Sequence, residues 1–337
     1  MEFFGSPFSP GENPALHQAV RKEIPAPLTT TRKPVVVVGS INMDLVAHAP
    51  TIPVPGQTLI GTGFITTPGG KGANQAVAAA RLGYPTQMIG AVGDDVFGQA
   101  LVDNLHSAGV DTAAVERVPG PSGVAPIVVA DNGENAIVVV PGANALLDAA
   151  MVDRHAGLIR SAGMVLCQLE LPIQTVSHVI DLCAAAGVPV ILDPAPAAAL
   201  PDTVFHQVAW LTPNETEAAF YLGETLSVED SAQHLLEKGL KGVVLKRGGE
   251  GCYVAQAGGK AAWVPAFKVD AIDTVAAGDC FNGAFAVGLL EGLDPFAAAR
   301  FASAAAAIAV TRRGAQASMP SRAEVDAFLA HRLWNDV

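Results

Sequence analysis

At 337 residues, half of them hydrophobic and only 15% charged, the chain carries enough apolar side chains for a large core, which excludes a disordered protein. A formal net charge of −12 argues against nucleic acid as a main partner, and no apolar run is long enough to span a bilayer, so neither nucleic acid nor membrane is expected as a partner. Cys167, Cys183, Cys252 and Cys280 are scattered, with no CxxC pair or His-linked metal spacing, as befits free thiols in a reducing, cytoplasmic compartment.

Residues 1–33 hold Gly5, Pro7, Pro10, Pro14, Pro25 and Pro27 and little periodicity. They lack the apolar core of a signal peptide, and Glu2, Glu12 and Glu23 are out of place in a transit peptide. A flexible N-terminal extension is expected there, followed by one α/β region over 34–330. In that region 35–38 reads as a buried strand by its unbroken β-branched run, and 74–82 as a helix stopped by Gly83. A strand at 164–169 leads into a helix at 173–186 that ends at Gly187. Strands follow at 188–192, at Trp210 and Leu211, and at 242–246, and two long small-residue helices at 276–291 and 295–311. Strands separated by helices predict a parallel sheet with helices on both faces. Residues 57–66 and 124–140 break that rhythm: they are strand-like, with Gly133 at a hairpin turn and no helix between. They predict a small antiparallel sheet, a lid over the strand ends near 44–66 and 122–140, or else plain edge hairpins.

There is no GxxxxGK[ST], since Gly72 follows Lys71 where Ser or Thr is required, and no strand leads into GxGxxG. The informative run is Asp273-Thr274-Val275-Ala276-Ala277-Gly278-Asp279. Small residues opening a long helix let an anion approach the free N–H groups of its first turn. Asp279 would repel that anion, which makes sense if it takes a proton from a hydroxyl attacking beside a transferred phosphoryl group. It could equally be an ordinary carboxylate at a helix N-terminus.

That run, together with Gly39-Ser40-Ile41-Asn42-Met43-Asp44, Gly69-Gly70-Lys71-Gly72-Ala73-Asn74-Gln75-Ala76 and Thr212-Pro213-Asn214-Glu215-Thr216-Glu217, resembles the ribokinase-type carbohydrate kinase family, which includes fructokinases and adenosine kinases. The blocks fall in the family's order. The resemblance implies a central mostly parallel sheet with helices on both faces and a small β lid. It also implies a Mg-ATP donor, with ribose phosphorylated at O5. Asp279 would be the base, and the amides of Ala276, Ala277 and Gly278 the anion hole.

It further implies a sugar site of Asn42, Met43, Asp44, Gly70, Lys71, Gly72, Asn74 and Glu170 with Asp279. A pentose offers several hydroxyls, so carboxylates and amides on rigid turns suit it. Asn42 and Asp44 are expected just past the first strand, and Gly70 and Lys71 at a helix start with free backbone donors. Asn214 and Glu217 would organise Mg²⁺ and phosphate through waters; the plainer alternative is an Asn cap with a solvated Glu. Lys246, Arg247, Gly248, Gly249, Glu250 and Gly251 match the loop beside the nucleotide, with Gly278 and Ser303 near it. Threonine is commoner in the family where this chain has Lys246, which could reach ATP phosphates or point to solvent. The resemblance implies an activating potassium ion held by Asp273, Val275, Ala309, Arg312, Gly314 and Ser318, and a homodimer joined through the lid. Pro126 interrupts the lid segment; proline is tolerated on an edge strand but could weaken a contact between the lids of a dimer. A nucleoside hydrolase would need an aspartate cluster for calcium near the first strand, and Asp44 has no such neighbours. A non-catalytic sugar sensor on the same fold would not need Asp279.

Overall fold

The computed structural model describes residues 32–333. The expected extension therefore lies almost wholly outside the described residues. The chain divides by its contacts into residues 1–32 and a unit beginning at Lys33, to which all the strands and helices below belong.

The strands in chain order are β1 (Val35–Val38), β2 (Asn42–Ala49), β3 (Gly63–Gly69), β4 (Thr86–Gly93), β5 (Asp111–Val118), β6 (Gly123–Ala130) and β7 (Asn135–Ile137). They continue with β8 (Met164–Cys167), β9 (Val190–Leu192), β10 (Trp210–Leu211), β11 (Gly242–Lys246), β12 (Gly251–Gln256) and β13 (Ala261–Pro265). A nine-stranded sheet runs in the order β13-β12-β11-β10-β9-β8-β1-β4-β5. Its strands from β11 to β5 are parallel, while β12 and β13 add antiparallel at one edge. Alternation along β1 explains why both faces are covered. Val35 and Val37 point into one apolar cluster with Ala73, Ala76 and Phe285, and Val36 and Val38 into another with Leu147 and Ile180. All four valines are buried, and each such side chain contributes roughly 1.5–3 kcal/mol.

The Ile173–Ala186 helix ends where Gly187 takes a left-handed conformation at φ 68, as its sequence requires. The two late helices are Ala277–Leu290 and Pro295–Val310. Their alanines and glycines allow close packing: a Cβ at Gly283 would stand 2.7 Å from the Gln75 carbonyl oxygen of the Lys71–Arg81 helix.

The second sheet has the order β3-β2-β6-β7. The antiparallel expectation is corrected here: its inner pair, β2 with β6, is parallel, and only the outer pairs are antiparallel. Residues 57–61 contribute no strand to it. Pro126 is also not on an edge, because β6 lies between β2 and β7. Val138 N–H donates to the Pro126 carbonyl at 3.0 Å, but proline has no N–H to return. The ladder breaks there, so β7 is short and pairing resumes only at the Val124–Val140 bridge.

Candidate active site

Side chains with chemistry gather along the carboxyl ends of the parallel strands, where open α/β sheets bind ligands. Ser40 lies just beyond β1, Glu170 beyond β8, Asp193 directly after β9, Asn214 beyond β10, and Lys246 closes β11. Asp279 reaches the same place from the first turn of the Ala277–Leu290 helix. Asn42 and Asp44 follow β1 as expected and belong to β2, so they sit at the root of the small sheet.

Asp279 is almost wholly buried, and both its oxygens are bonded. Asn74 Nδ2 donates to Oδ2 at 2.9 Å and Gln75 Nε2 to Oδ1 at 3.1 Å. Asn74 is held in turn by Gln316, whose Nε2 donates to its Oδ1 at 3.1 Å. Burial pushes the Asp279 pKa up to about 6; Lys71 pulls against this and Asp193 adds to it. Burial alone would lower the Lys71 pKa, but the carboxylates of Asp279, Asp193, Glu170 and Glu217 outweigh it and push it up.

The helix that carries Asp279 starts at Ala276, which has φ 57, the one positive φ at a non-glycine among the described residues. Such a conformation costs an alanine on the order of 1 kcal/mol and recurs at functional turns. No side chain caps this helix among the described residues. Ala277 N–H turns back to the Thr274 carbonyl at 3.2 Å.

The helix start at Gly70 differs from its expectation. The first N–H groups are not free: Lys71 N–H donates to Glu170 Oε2 at 3.1 Å, Gly72 N–H to Ser40 Oγ at 3.3 Å, and Ala73 N–H to the Ser40 carbonyl at 2.9 Å. Asn42 is buried and its Oδ1 accepts from Asn144 Nδ2 at 2.7 Å. Met43, between Asn42 and Asp44 on β2, turns its side chain into the core.

Asp44 lies over Gly69, where any Cβ would collide with its carboxylate. Burial, then the charges of Glu170 and Asp279, push its pKa up to about 7. A carboxyl group raised from 3.8 favours the folded state below that value and loses this contribution as pH climbs through about 7. Asp44→Asn should therefore stabilise the unliganded protein at pH 8 by on the order of 1–2 kcal/mol. Urea denaturation of both proteins at pH 5 and pH 8 checks this, and equal stabilities at pH 8 would refute it.

A cavity of about 400 Å³ opens beside the Asp279 turn. Lys246, Gly248, Gly249, Gly251, Gly278 and Ser303 line it, as the expected nucleotide loop would. Arg247 and Glu250 do not; Arg247 Nη2 pairs with Glu250 at 3.2 Å, and its Nε lies 3.2 Å from Glu215 without hydrogen-bond geometry. Sequence reasoning missed the apolar walls, among them Phe267, Val269, Phe281 and Ala306, because apolar walls carry no motif. It also missed Asp193, and gave no role to Gln75, although Gln75 stands inside a quoted block.

Lys246 does not point to solvent: its Nζ donates to Asp193 Oδ1 at 3.0 Å. Asn214 and Glu217 form a reciprocal cap on the Glu215–Leu222 helix, with Glu217 N–H to Asn214 Oδ1 and Asn214 N–H to Glu217 Oε2 both 2.8 Å. Burial raises the Glu217 pKa, with Lys246 opposing.

The six positions expected around potassium fall in one corner. Asp273 Oδ1 accepts from Val275 N–H at 3.0 Å and Oδ2 from Gly314 N–H at 2.9 Å. Arg312 N–H donates to the Ala309 carbonyl at 3.0 Å, and Arg312 Nη1 reaches the Ser318 carbonyl at 3.5 Å. No group of three or more His, Cys, Asp or Glu side chains suited to a metal occurs among the described residues.

Residues 32–322 match the model of the pfkB family of carbohydrate kinases. The ribokinase of Bacillus subtilis (strain 168) is 44% identical over 295 residues, covering 87% of this chain and 98% of that protein. A deoxyribokinase of Salmonella typhi is 37% identical over 302 residues, covering 88% and 98%. Among solved structures, Arabidopsis thaliana ribokinase complexed with ribose and ATP superposes with a TM-score of 0.83 at 35% identity, over 88% of this chain and 98% of that one.

Proposed function

The chain belongs to the pfkB family of carbohydrate kinases, and on that premise we propose that it transfers the γ-phosphoryl group of ATP to O5 of D-ribose, giving D-ribose 5-phosphate and ADP. The observation that carries the reaction is Asp279: a buried carboxylate, oriented by two amides, at an uncapped helix start beside a cavity of nucleotide size. In this reading Asp279 takes the O5 proton as that oxygen attacks in line. The N–H groups at Ala276 and Gly278, that of Ala277 once it turns away from the Thr274 carbonyl, and the positive end of the helix offset charge on the transferring group. Asn42, Asp44 and Glu170, with the backbone at Met43 and Gly70, hold the sugar hydroxyls. Lys71, Gly72 and Asn74 join them where the sugar displaces the present partners of their N–H groups, Glu170, Ser40 and Asp279; the Lys71 charge offsets the carboxylates around it.

ATP occupies the cavity, its base toward Ser303 and its phosphates toward Lys246 and Gly278, with the 247–251 loop at its edge. The E. coli Ribokinase II structure in complex with ATP and Mg²⁺, 25% identical to this chain, supports magnesium as the metal. Mg²⁺ supplies charge neutralisation on the phosphates, and the Glu217 carboxylate beside Lys246 and Asp193 fits an ion that keeps its waters. A potassium ion would be held in the corner of Asp273, Val275, Ala309, Arg312, Gly314 and Ser318 through backbone carbonyls, those of Ala309 and Ser318 being shared with, or released by, Arg312. The exposed Phe64, Ile65 and Ile137 of the small sheet support a homodimer joined there. We assign the protein to the cytoplasm: its four cysteines are buried and free, and no helix among the described residues is long and apolar enough to cross a membrane.

The deoxyribokinase likeness makes deoxyribose the competing acceptor. ADP release with ribose, deoxyribose, fructose and adenosine, with and without potassium, separates the two. Ribose should exceed deoxyribose in kcat/KM by about 10–100-fold, because the missing hydroxyl leaves buried polar groups unpaired. Potassium should raise turnover. A preference for deoxyribose would overturn the acceptor, and indifference to potassium the cation corner.

A further inference from the structure

Asp193 and Gln75 have no place in the mechanism above, yet they connect its two halves. Asp193 follows β9 and is 2% exposed. Its Oδ1 accepts from Lys246 Nζ at 3.0 Å and its Oδ2 from Gln75 Nε2 at 3.0 Å. The same Gln75 nitrogen donates to Asp279 Oδ1 at 3.1 Å, so its two N–H bonds go one to each carboxylate. Turning the amide over would set Gln75 Oε1 against both carboxylates, and as it stands that oxygen accepts from Gln168 Nε2 at 2.7 Å. At the other end, Lys246 forms part of the cavity wall, and its ammonium stands 3.5 Å from where a Cβ on Gly278 would be. With one acceptor on Asp193, the ammonium keeps donors for the cavity.

We propose that Asp193 is a positioning residue which holds the Lys246 ammonium at the phosphate end of the nucleotide cavity and, through Gln75, holds Asp279 in line with the acceptor. The proposal rests on the kinase reading above. Net stability does not explain the arrangement, since a buried ion pair is commonly no better than apolar residues of the same volume. The pair also balances charge near the base. Asp279 is faced by Lys71 from the Lys71–Arg81 helix, by Asp44 from β2, and by Asp193 after β9. Glu170, Glu217, Lys246 and, through Cys280, Arg312 stand around this group. Neutralising Asp193 leaves Lys246 uncompensated and eases ionisation of Asp279. Neutralising Lys246 leaves Asp193 uncompensated and opposes it.

The test is a double-mutant cycle of Asp193→Asn, Lys246→Met and both together, with kcat and both KM values followed from pH 5 to 9. Each single change should lower kcat about 10-fold or more, and the pair should lose much less than the product of the two. The acid limb of kcat should move down in Asp193→Asn, up in Lys246→Met, each by about half a pH unit, and return in the double variant. KM for ribose should stay within about 3-fold throughout, since the sugar contacts are untouched. Multiplicative losses with an unmoved limb would overturn the proposal. Lys246→Met alone decides it if Asp193→Asn folds poorly: an unmoved limb there overturns it too. Turnover of another sugar in place of ribose overturns the acceptor assignment only, and the cycle is then read with that sugar.

Discussion

Replacing Asp279 by asparagine should lower kcat by about 10²–10⁴-fold, the scale of a lost general base, with the KM for ribose little changed. The substitution keeps the size of the side chain but removes the group that accepts the O5 proton. It also sets an NH₂ opposite the Asn74 or Gln75 donors that now face carboxylate oxygens. The wild-type pH profile carries the same signature. The base works deprotonated, and burial holds its pKa near 6 in the unliganded protein, so kcat/KM for ribose should level off above that pH and fall about tenfold per unit below it. Asp279→Asn should lose this limb along with the rate. Near-normal turnover of Asp279→Asn at unchanged affinity would refute the mechanism; no turnover of the wild-type protein with any acceptor would instead favour a sugar sensor that keeps the fold without the chemistry.

Gly72→Ala is the second large effect, and it enters through the backbone. A Cβ at Gly72 would stand 2.6 Å from Gly39 Cα and carbonyl carbon and from Ser40 N. Gly39 has the reciprocal constraint, with Gly72 Cα 2.7 Å from its own missing Cβ. These neighbours are main chain on both sides, so no side chain can turn aside, and the Lys71–Arg81 helix must move as a unit. The expected cost is about 2–3 kcal/mol of stability, read from urea denaturation. Activity should fall further than stability suggests. Lys71, Asn74 and Gln75 ride on that helix, and displacing them by about 1 Å can cost 10²-fold in kcat/KM. A variant with wild-type stability would show that the helix start is more yielding than its packing implies.

The likeness to the Bacillus subtilis ribokinase and to the Arabidopsis ribose and ATP complex bears on the family, the fold and the class of reaction. The individual site residues stand on their geometry and on the experiments above. Asn214 and Glu217 illustrate the difference. Their spacing suits a capping box as well as a metal-organising pair, and the structure holds them in the reciprocal cap. The two roles are compatible only if the Glu217 carboxylate keeps a lone pair for a hydrated ion.

Much of the architecture was legible in the sequence by itself, because local rules govern it. The β-branched run of Val35–Val38 could only be a buried strand, and Gly187 could only end the helix before it. The order of the Gly39, Gly69, Thr212 and Asp273 blocks identified the family, and the small residues before Asp279 marked a helix start. What escaped the sequence depends on contacts between distant segments. Nothing local says that β2 and β6 pair in parallel, or that Pro126 would fall inside the sheet and cut β7 short. Nothing local says that Ser40 and Glu170 would take the N–H groups at the start of the Lys71–Arg81 helix. Asp193 and Lys246 lie 53 positions apart and meet only because β9, β10 and β11 are adjacent, with their carboxyl ends on one side. A charge pair of that kind has no spacing to read. It arises when parallel strands bring their ends together and burial obliges each charge to find a partner.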